Sequence, residues 1–137
     1  MVNIANGEYS HATGKGTTTE GIASFTCGNA DTNCEIIAKG TGSFAGGYCP
    51  EDGIINANGE GSFAFGCSND DIFDLHSLIA WGKASHAEGI GTWAMGEGSH
   101  SEGYNTIAKG NYSHASGSKC VAYGSNSFAI GESTHAN

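Results

Sequence analysis

Residues 83–131 read KASHAEG, IGTWAMG, EGSHSEG, YNTIAKG, NYSHASG, SKCVAYG and SNSFAIG, which are seven consecutive units of seven residues that each end in glycine. The same step recurs along the whole chain, which divides into sixteen such units, three insertions and an incomplete unit at residues 132–137. A unit follows the pattern x-x-Ser/Thr-Φ-Ala-x-Gly, where Φ is apolar or histidine. Repetition at a short fixed period is typical of a solenoid, in which each unit packs only on its neighbours.

The alternation within each unit predicts strands. The last five residues alternate small and large side chains, which is the period of a β-strand. A coiled coil also repeats every seven residues, but it requires apolar a and d positions and is destabilised by glycine. The sequence therefore predicts an all-β fold, a parallel β-roll in which two units form one coil of 14 residues. Residues 1–137 are expected to form a single domain of about eight coils.

Such a coil is flat, so its interior has room only for small side chains. The third, fifth and seventh positions of the unit, which are mostly Ser or Thr, Ala and Gly, are predicted to face inward. The glycine is also expected to supply a positive φ at the corner. The large residues at the fourth and sixth positions then point outward from one sheet or the other.

Pairing the units gives two columns of outward side chains at the fourth position. The first column is Ile4, Thr18, Ile37, Asn56, Ile79, Trp93, Ile107, Val121 and His135, and the second is His11, Phe25, Phe44, Phe63, His86, His100, His114 and Phe128. The insertions, at about 29–35, 48–54 and 67–77, all follow a glycine of the second half-coil. They are therefore predicted to emerge at one corner of three successive coils.

The first column and its neighbours at the sixth position form an apolar stripe that the roll cannot bury internally. An exposed apolar patch of this kind usually marks an interface. We expect self-association around a threefold axis, so that the main apolar core lies between chains of a homotrimer. The predicted trimer interface is Ile4, Ile37, Ile79, Trp81, Trp93, Met95, Ile107, Val121 and Tyr123.

The half-repeats SHAEG (85–89), SHSEG (99–103), NYSHASG (111–117) and NSFAIG (126–131) resemble the head repeats of YadA-like trimeric autotransporter adhesins. Similar repeats occur in phage fibres and in surface proteins of Gram-positive bacteria. The resemblance covers the chain apart from its insertions. It implies a left-handed parallel β-roll and a trimer whose apolar half-repeats face the axis. The neck, coiled-coil stalk and membrane anchor of an autotransporter do not appear in the sequence.

Two functions follow from this resemblance. The first is a non-enzymatic adhesin head outside the cell or on a virion or spore, which binds a host matrix protein, a cell surface or a glycan. The alternative is a self-assembling fibre or coat component. Both ends of the sequence lack a polar cap, although a solenoid end leaves strand edges unpaired. We expect either a piece cut from a longer roll or, as the alternative, end-to-end stacking of trimers.

Composition excludes other classes. A single proline excludes collagen despite 23 glycines. Only 5 Lys plus Arg oppose 14 Asp plus Glu, which argues against nucleic-acid binding. No apolar run is long enough to span a membrane, and no signal peptide is visible. Nucleophile-elbow and phosphate-loop motifs are absent from the sequence, so we predict no catalytic residue, no cofactor and no enzyme.

Cysteine and histidine are the remaining chemical candidates. Among the cysteines near the insertions, Cys49 and Cys67 are our first choice for a disulfide between adjacent coils, whereas Cys120 takes an inward position. A zinc site of paired Cys or His at short spacing is not found, and no metal is predicted.

One outward ladder of side chains is interpreted as a solvated face of the repeat: His86, His100, His114, Glu88 and Glu102. The alternative is a metal-binding or pH-responsive ladder. Asp70, Asp71 and Asp74 are predicted to form a solvated acidic loop rather than a calcium site.

Overall fold

The structure is a computed structural model that describes residues 2–50, 52–68 and 77–137. These residues form two parallel sheets that run side by side along the described part of the chain. None of them forms a helix that could cross a bilayer. Most of the third insertion, including Asp70, Asp71 and Asp74, lies outside the described residues, so the prediction of an acidic loop there stays a prediction.

Successive strands alternate between the two sheets. The nine-stranded sheet contains β1 (Ile4–Ala5), β3 (Thr17–Thr19), β5 (Glu35–Ala38), β7 (Ile54–Ala57), β9 (Ser77–Ala80), β11 (Trp93–Ala94), β13 (Ile107–Ala108), β15 (Val121–Ala122) and β17 (His135–Ala136). The eight-stranded sheet contains β2 (His11–Lys15), β4 (Phe25–Ala30), β6 (Phe44–Cys49), β8 (Phe63–Cys67), β10 (His86–Ile90), β12 (His100–Tyr104), β14 (His114–Ser118) and β16 (Phe128–Glu132). The predicted all-β parallel roll is confirmed.

The register reproduces both predicted columns residue by residue. In the nine-stranded sheet, Ile79 pairs with Trp93 and Trp93 pairs with Ile107. In the eight-stranded sheet, Phe63 pairs with His86 and His86 pairs with His100. The insertions leave this alignment intact, since the strands on either side of each insertion still pair in phase. Spacing in the sequence therefore translates directly into neighbours on the surface.

Small side chains fill most of the interior, as the repeat predicts. Ala87, Ala94, Ala108 and Ala115 are fully buried between the two sheets. Most serines at the third position of the second half-coil are also buried. Four serines at this position donate a side-chain hydrogen bond of 2.6–2.7 Å to the carbonyl of the glycine three residues earlier: Ser10, Ser24, Ser99 and Ser113. In these four coils the serine hydroxyl closes the corner, whereas four hydroxyls at the same position have no hydrogen-bond partner among the described residues: Ser43, Ser62, Ser85 and Ser127.

The expectation of a uniformly small interior is wrong in the coils that follow the insertions. There the third position is occupied by Ile36, Ile55 and Leu78, which pair in register and are fully buried. The strands that follow the insertions, β5, β7 and β9, have four residues, and those that precede the first two insertions, β4 and β6, have six, whereas β8 keeps the usual five. The longer strands make a wider coil, and the aliphatic side chains fill it.

The corner glycines are required mainly by the close approach of adjacent coils. A Cβ added at Gly103 would collide with the carbonyl oxygen of Gly117 in the next coil. Gly103 also has a φ of +107°, which confirms the predicted positive φ for this half-coil. Glycines that end the first half-coil, such as Gly96, lack a positive φ but meet the same carbonyl clash. Steric contact between coils therefore explains the strict repeat of glycine better than backbone conformation does.

Candidate functional site

The outer face of the eight-stranded sheet carries a continuous ladder of eight rings. Each ring contacts the next at a centroid distance between 4.6 and 5.4 Å, in the order His11, Phe25, Phe44, Phe63, His86, His100, His114 and Phe128. Stacking follows directly from the parallel register, which places identical positions of the repeat above one another. Phe65 packs against the middle of the ladder, with its ring centroid 6.1 Å from that of Phe44. The ladder fixes the position and the tilt of the histidine rings.

The two glutamates of the ladder lie beside the imidazoles, two residues further along the same strands. Glu88 lies between two rings, with Oε2 3.5 Å from Nε2 of His86 and Oε1 3.8 Å from Nε2 of His100. Glu102 hydrogen-bonds Nε2 of His114 at 3.3 Å. These five side chains are all partly exposed, as the sequence predicted for an outward ladder.

The pKa values of one imidazole and one carboxylate of this ladder are shifted by their neighbours. Burial lowers the pKa of His100, and the neighbouring rings of His86 and His114 lower it further, while the carboxylates of Glu102 and Glu88 oppose the shift. The hydroxyl of Ser116 lowers the pKa of Glu102 by hydrogen bonding to the carboxylate, and His114 adds to this effect. At neutral pH the site therefore presents a neutral central imidazole beside the ionised carboxylate of Glu102.

The predicted interface residues lie on the outer face of the nine-stranded sheet, and most are concentrated between residues 79 and 123. Trp81 is 60 % exposed and Tyr123 is 46 % exposed, whereas Trp93 is half-buried and donates its indole N–H to the carbonyl of Ser77 at 3.0 Å. The remaining members here are Ile79, Met95, Ile107 and Val121, which are half-buried or exposed. At the N-terminal end the column is interrupted by Thr18 and Asn56.

Ile37 does not belong to this exposed set. It is 7 % exposed in the single chain, so little of it remains to be buried against a partner. Ile4, at the other end of the column, is 42 % exposed but separated from the apolar stretch by Thr18. The apolar surface available to a partner is therefore the stretch formed by Ile79, Trp81, Trp93, Met95, Ile107, Val121 and Tyr123, which we call the apolar stripe.

The predicted disulfide between Cys49 and Cys67 is not formed in the structure. Cys67 pairs in register with Tyr48, so Cys49 lies one residue out of step and its side chain points to the opposite face of the sheet. Cys49 is buried inside the roll, where its thiol accepts a hydrogen bond of 3.2 Å from Ser68 and burial raises its pKa to about 12. Cys120 is fully buried and lies 3.1 Å from the carbonyl oxygen of Gly131, which confirms its predicted inward position.

The corner that carries the insertions has a polar network that the sequence did not predict. Asp31 accepts a hydrogen bond of 2.7 Å from the hydroxyl of Tyr48 and lies 3.4 Å from Nζ of Lys15. These residues come from three successive coils. The hydrogen bond from Tyr48 lowers the pKa of Asp31, and Lys15 lowers it further. The sequence signal that could have found this network is the shared register position of Lys15, Asn29 and Tyr48. Asp31 follows Asn29 by two residues.

Comparison with protein-family models gives no match, and comparison with curated proteins finds no relative of this chain. The functional argument therefore depends on the two outer faces: the apolar stripe of the nine-stranded sheet and the ring ladder of the eight-stranded sheet.

Proposed function

We propose that this chain is a non-enzymatic surface-binding head module that works as a homotrimer, with the apolar stripe turned toward the threefold axis. The observation that carries the proposal is the exposure of Trp81, Met95 and Tyr123 beside a column of half-buried aliphatic and indole side chains. Large side chains on a rigid sheet expose apolar area that association removes from water. The resemblance of the half-repeats to trimeric adhesin heads favours three chains over two.

The same arrangement would leave the eight-stranded sheet and the insertion corner facing outward. A parallel roll holds these surfaces rigidly, since every coil is hydrogen-bonded to its neighbours along both sheets. Rigid, laterally exposed surfaces suit a protein that binds a host matrix protein, a cell surface or a glycan, and such a role requires display outside the cell or on a virion. A stiff structural component of a fibre or coat is the alternative use of the same roll.

Oligomeric state tests the first part of this proposal. Light scattering coupled to size exclusion should give three times the chain mass of 13.9 kDa. Ile107→Glu introduces a charge into the apolar stripe and should yield monomers. Ile130→Glu is the matched control, because Ile130 is 54 % exposed on the outer face of the other sheet. Circular dichroism would verify that both variants retain the β fold.

A monomeric wild-type chain would overturn the trimer, and dissociation by Ile130→Glu alone would show that the wrong sheet was assigned to the axis. Binding is tested separately by applying labelled wild-type protein to a glycan array, to immobilised matrix proteins and to cultured cells. Saturable binding to one class supports the adhesin proposal. Absence of binding to all three, together with filaments in electron micrographs, would favour the structural alternative.

A further inference from the structure

Three side chains from two adjacent coils converge on the outer face of the eight-stranded sheet. β10 carries His86 and Glu88, which lie on the same face because they are two residues apart. β12 contributes His100, which pairs in register with His86. One ligand atom from each residue, an imidazole nitrogen or a carboxylate oxygen, lies within 4.8 Å of the other two.

Neither imidazole nitrogen that points into this cluster makes a hydrogen bond within the described part of the chain. Nε2 of His86 and Nε2 of His100 are shielded from solvent, although their rings are partly exposed, and they make no hydrogen bond among the described residues. Their distances to the Glu88 carboxylate, 3.5 and 3.8 Å, are too long for good hydrogen bonds. A buried nitrogen without a partner is unfavourable, so the cluster is incomplete as a hydrogen-bonded site.

The neighbouring carboxylates of Glu88 and Glu102 give a second reason to expect a cation at this cluster. Glu88 pairs in register with Glu102 of the next strand. Carboxylates directly opposite each other on neighbouring strands repel and destabilise the pairing. A cation bound at Glu88 would remove this repulsion and would also satisfy the two imidazole nitrogens.

We propose that His86, Glu88 and His100 bind a divalent transition-metal cation, Zn²⁺ in the first place, with water as the fourth ligand. Two neutral imidazoles and one carboxylate are ligands that Zn²⁺ accepts in proteins. Zinc-to-nitrogen distances near 2.0–2.1 Å require the ligand atoms to approach one another by roughly 1 Å. The partial exposure of all three side chains leaves room for this movement. The lowered pKa of His100 keeps its imidazole neutral and available as a ligand.

Glu102 and His114, the next carboxylate and imidazole along the ladder, form a cluster in which the carboxylate has hydrogen-bond partners from the protein. Glu102 hydrogen-bonds His114 at 3.3 Å, and Ser116 supplies a further hydrogen bond to the same carboxylate. Glu102 therefore has its partners from the protein, whereas Glu88 has two imidazoles at longer range. The proposed site is the cluster around Glu88, and Glu102 and His114 serve as internal controls of almost identical chemistry.

The ring ladder holds the two imidazoles side by side, and binding requires these nearly parallel rings to tilt so that one cation lies close to the plane of both. The His86 and His100 rings stack with centroids 4.6 Å apart, and the Phe63 ring contacts the other side of His86 at 4.6 Å. Because the ligands come from adjacent coils, a bound cation would join β10 to β12 outside the backbone ladder. Metal binding would therefore stabilise the folded chain by mass action, since the unfolded chain lacks the site.

Calorimetric titration of the chelator-stripped full chain with zinc chloride near neutral pH tests the proposal. We expect one zinc per chain with a dissociation constant in the micromolar range or below, and a higher melting temperature. His86→Ala, Glu88→Gln and His100→Ala should each weaken binding at least tenfold. His114→Ala should leave the affinity within about threefold, and Glu102→Gln should lower it by much less than Glu88→Gln, because Glu102 acts only through its charge. Co²⁺ should give a spectrum without thiolate charge-transfer bands, which excludes the cysteines as ligands.

Three results would overturn the assignment. The first is no zinc binding by the wild-type chain up to millimolar concentration. The second is binding that Glu88→Gln leaves unchanged. The third is equal loss in Glu88→Gln and Glu102→Gln, which would indicate a diffuse electrostatic effect. Circular dichroism of each variant separates loss of binding from loss of fold. Imidazole resonances of His86 and His100 in the wild-type chain provide a readout that needs no variant, since zinc should shift these two alone among the histidines.

Discussion

The hydroxyl of Tyr48 donates a 2.7 Å hydrogen bond to the Asp31 carboxylate across two adjacent coils. This bond and Lys15 hold the pKa of Asp31 below its usual value of 3.8, so the ionised form is favoured in the folded chain. The stability that this group contributes is therefore complete at neutral pH and is lost as the pH falls through the lowered pKa. The insertion corner is thus sensitive to acid.

Tyr48→Phe should raise the pKa of Asp31 toward its usual value, because the largest cause of the shift is removed. A carboxyl-carbon NMR titration of Asp31 measures this change directly. Lys15→Met should produce a smaller shift in the same direction, because the ammonium lies 3.4 Å away and is half exposed. A Tyr48→Phe titration curve that coincides with the wild-type curve would contradict the prediction.

Gly103→Ala should destabilise the roll severely, by about 3 kcal/mol or more, because strain at its φ adds to the clash with Gly117. Gly61→Ala is the matched control, since Gly61 also has a positive φ but a Cβ there meets no atom within 4 Å. Its cost should be about 1 kcal/mol. Ala84, one coil further on, already occupies the equivalent position with a φ of 53°. Thermal denaturation of both variants measures the difference, and equal melting temperatures would refute the role of the close approach between coils.

Ile55→Ala should cost about 2–5 kcal/mol, because it leaves a cavity in the wide part of the roll. The adjacent Ile54 provides the control on the same strand, since it is 39 % exposed whereas Ile55 is fully buried. Ile54→Ala should cost less than about 1 kcal/mol, because most surface substitutions have small effects. Denaturant unfolding compares the two variants. Similar losses would mean that Ile55 does not fill the interior as described.

Acid should weaken the ring ladder in the absence of metal. The pKa of His100 is lowered in the folded chain below its usual 6.5, so the unfolded chain takes up protons first as the pH falls. Stability should therefore decrease from about pH 7 downward until the pH passes the folded pKa. Melting temperatures in chelator-containing buffer between about pH 7.5 and about pH 5.5 test this trend.

His100→Gln should flatten that dependence, because it removes the imidazole whose pKa is lowered by burial and by the neighbouring rings of His86 and His114. His11→Gln is the control, since His11 stacks on Phe25 at the far end of the ladder. It should leave the slope unchanged. If both variants retain the wild-type slope, the acid sensitivity arises elsewhere in the chain.

The repeat in the sequence predicted the fold to the level of individual neighbours. A step of seven residues between glycines determines which strand each residue occupies and which face it takes, and for that reason both columns were correct at every position, from Ile4 to His135 and from His11 to Phe128. Periodicity is a strong signal because a slip by one residue would turn every side chain to the wrong face.

Departures from the repeat were harder to interpret. Ile36, Ile55 and Leu78 replace Ser or Thr at the third position, and each comes directly after an insertion. Together these two facts indicate a wider coil, but the repeat pattern alone assigned small residues to that position. The cluster around Glu88 was missed as a specific site for a different reason. Its ligands are separated by two and by fourteen residues, and only the register of adjacent coils brings them together.

The register of the two sheets also restricts how a roll of this kind can change length. Removing or duplicating one coil of 14 residues, for example 83–96, would leave each column continuous, with a histidine still above a ring and a glycine still against a carbonyl. A change of seven residues would instead exchange the two faces beyond that point and place the apolar stripe in line with the ring ladder. Length and surface chemistry can therefore vary independently, provided that whole coils are gained or lost together.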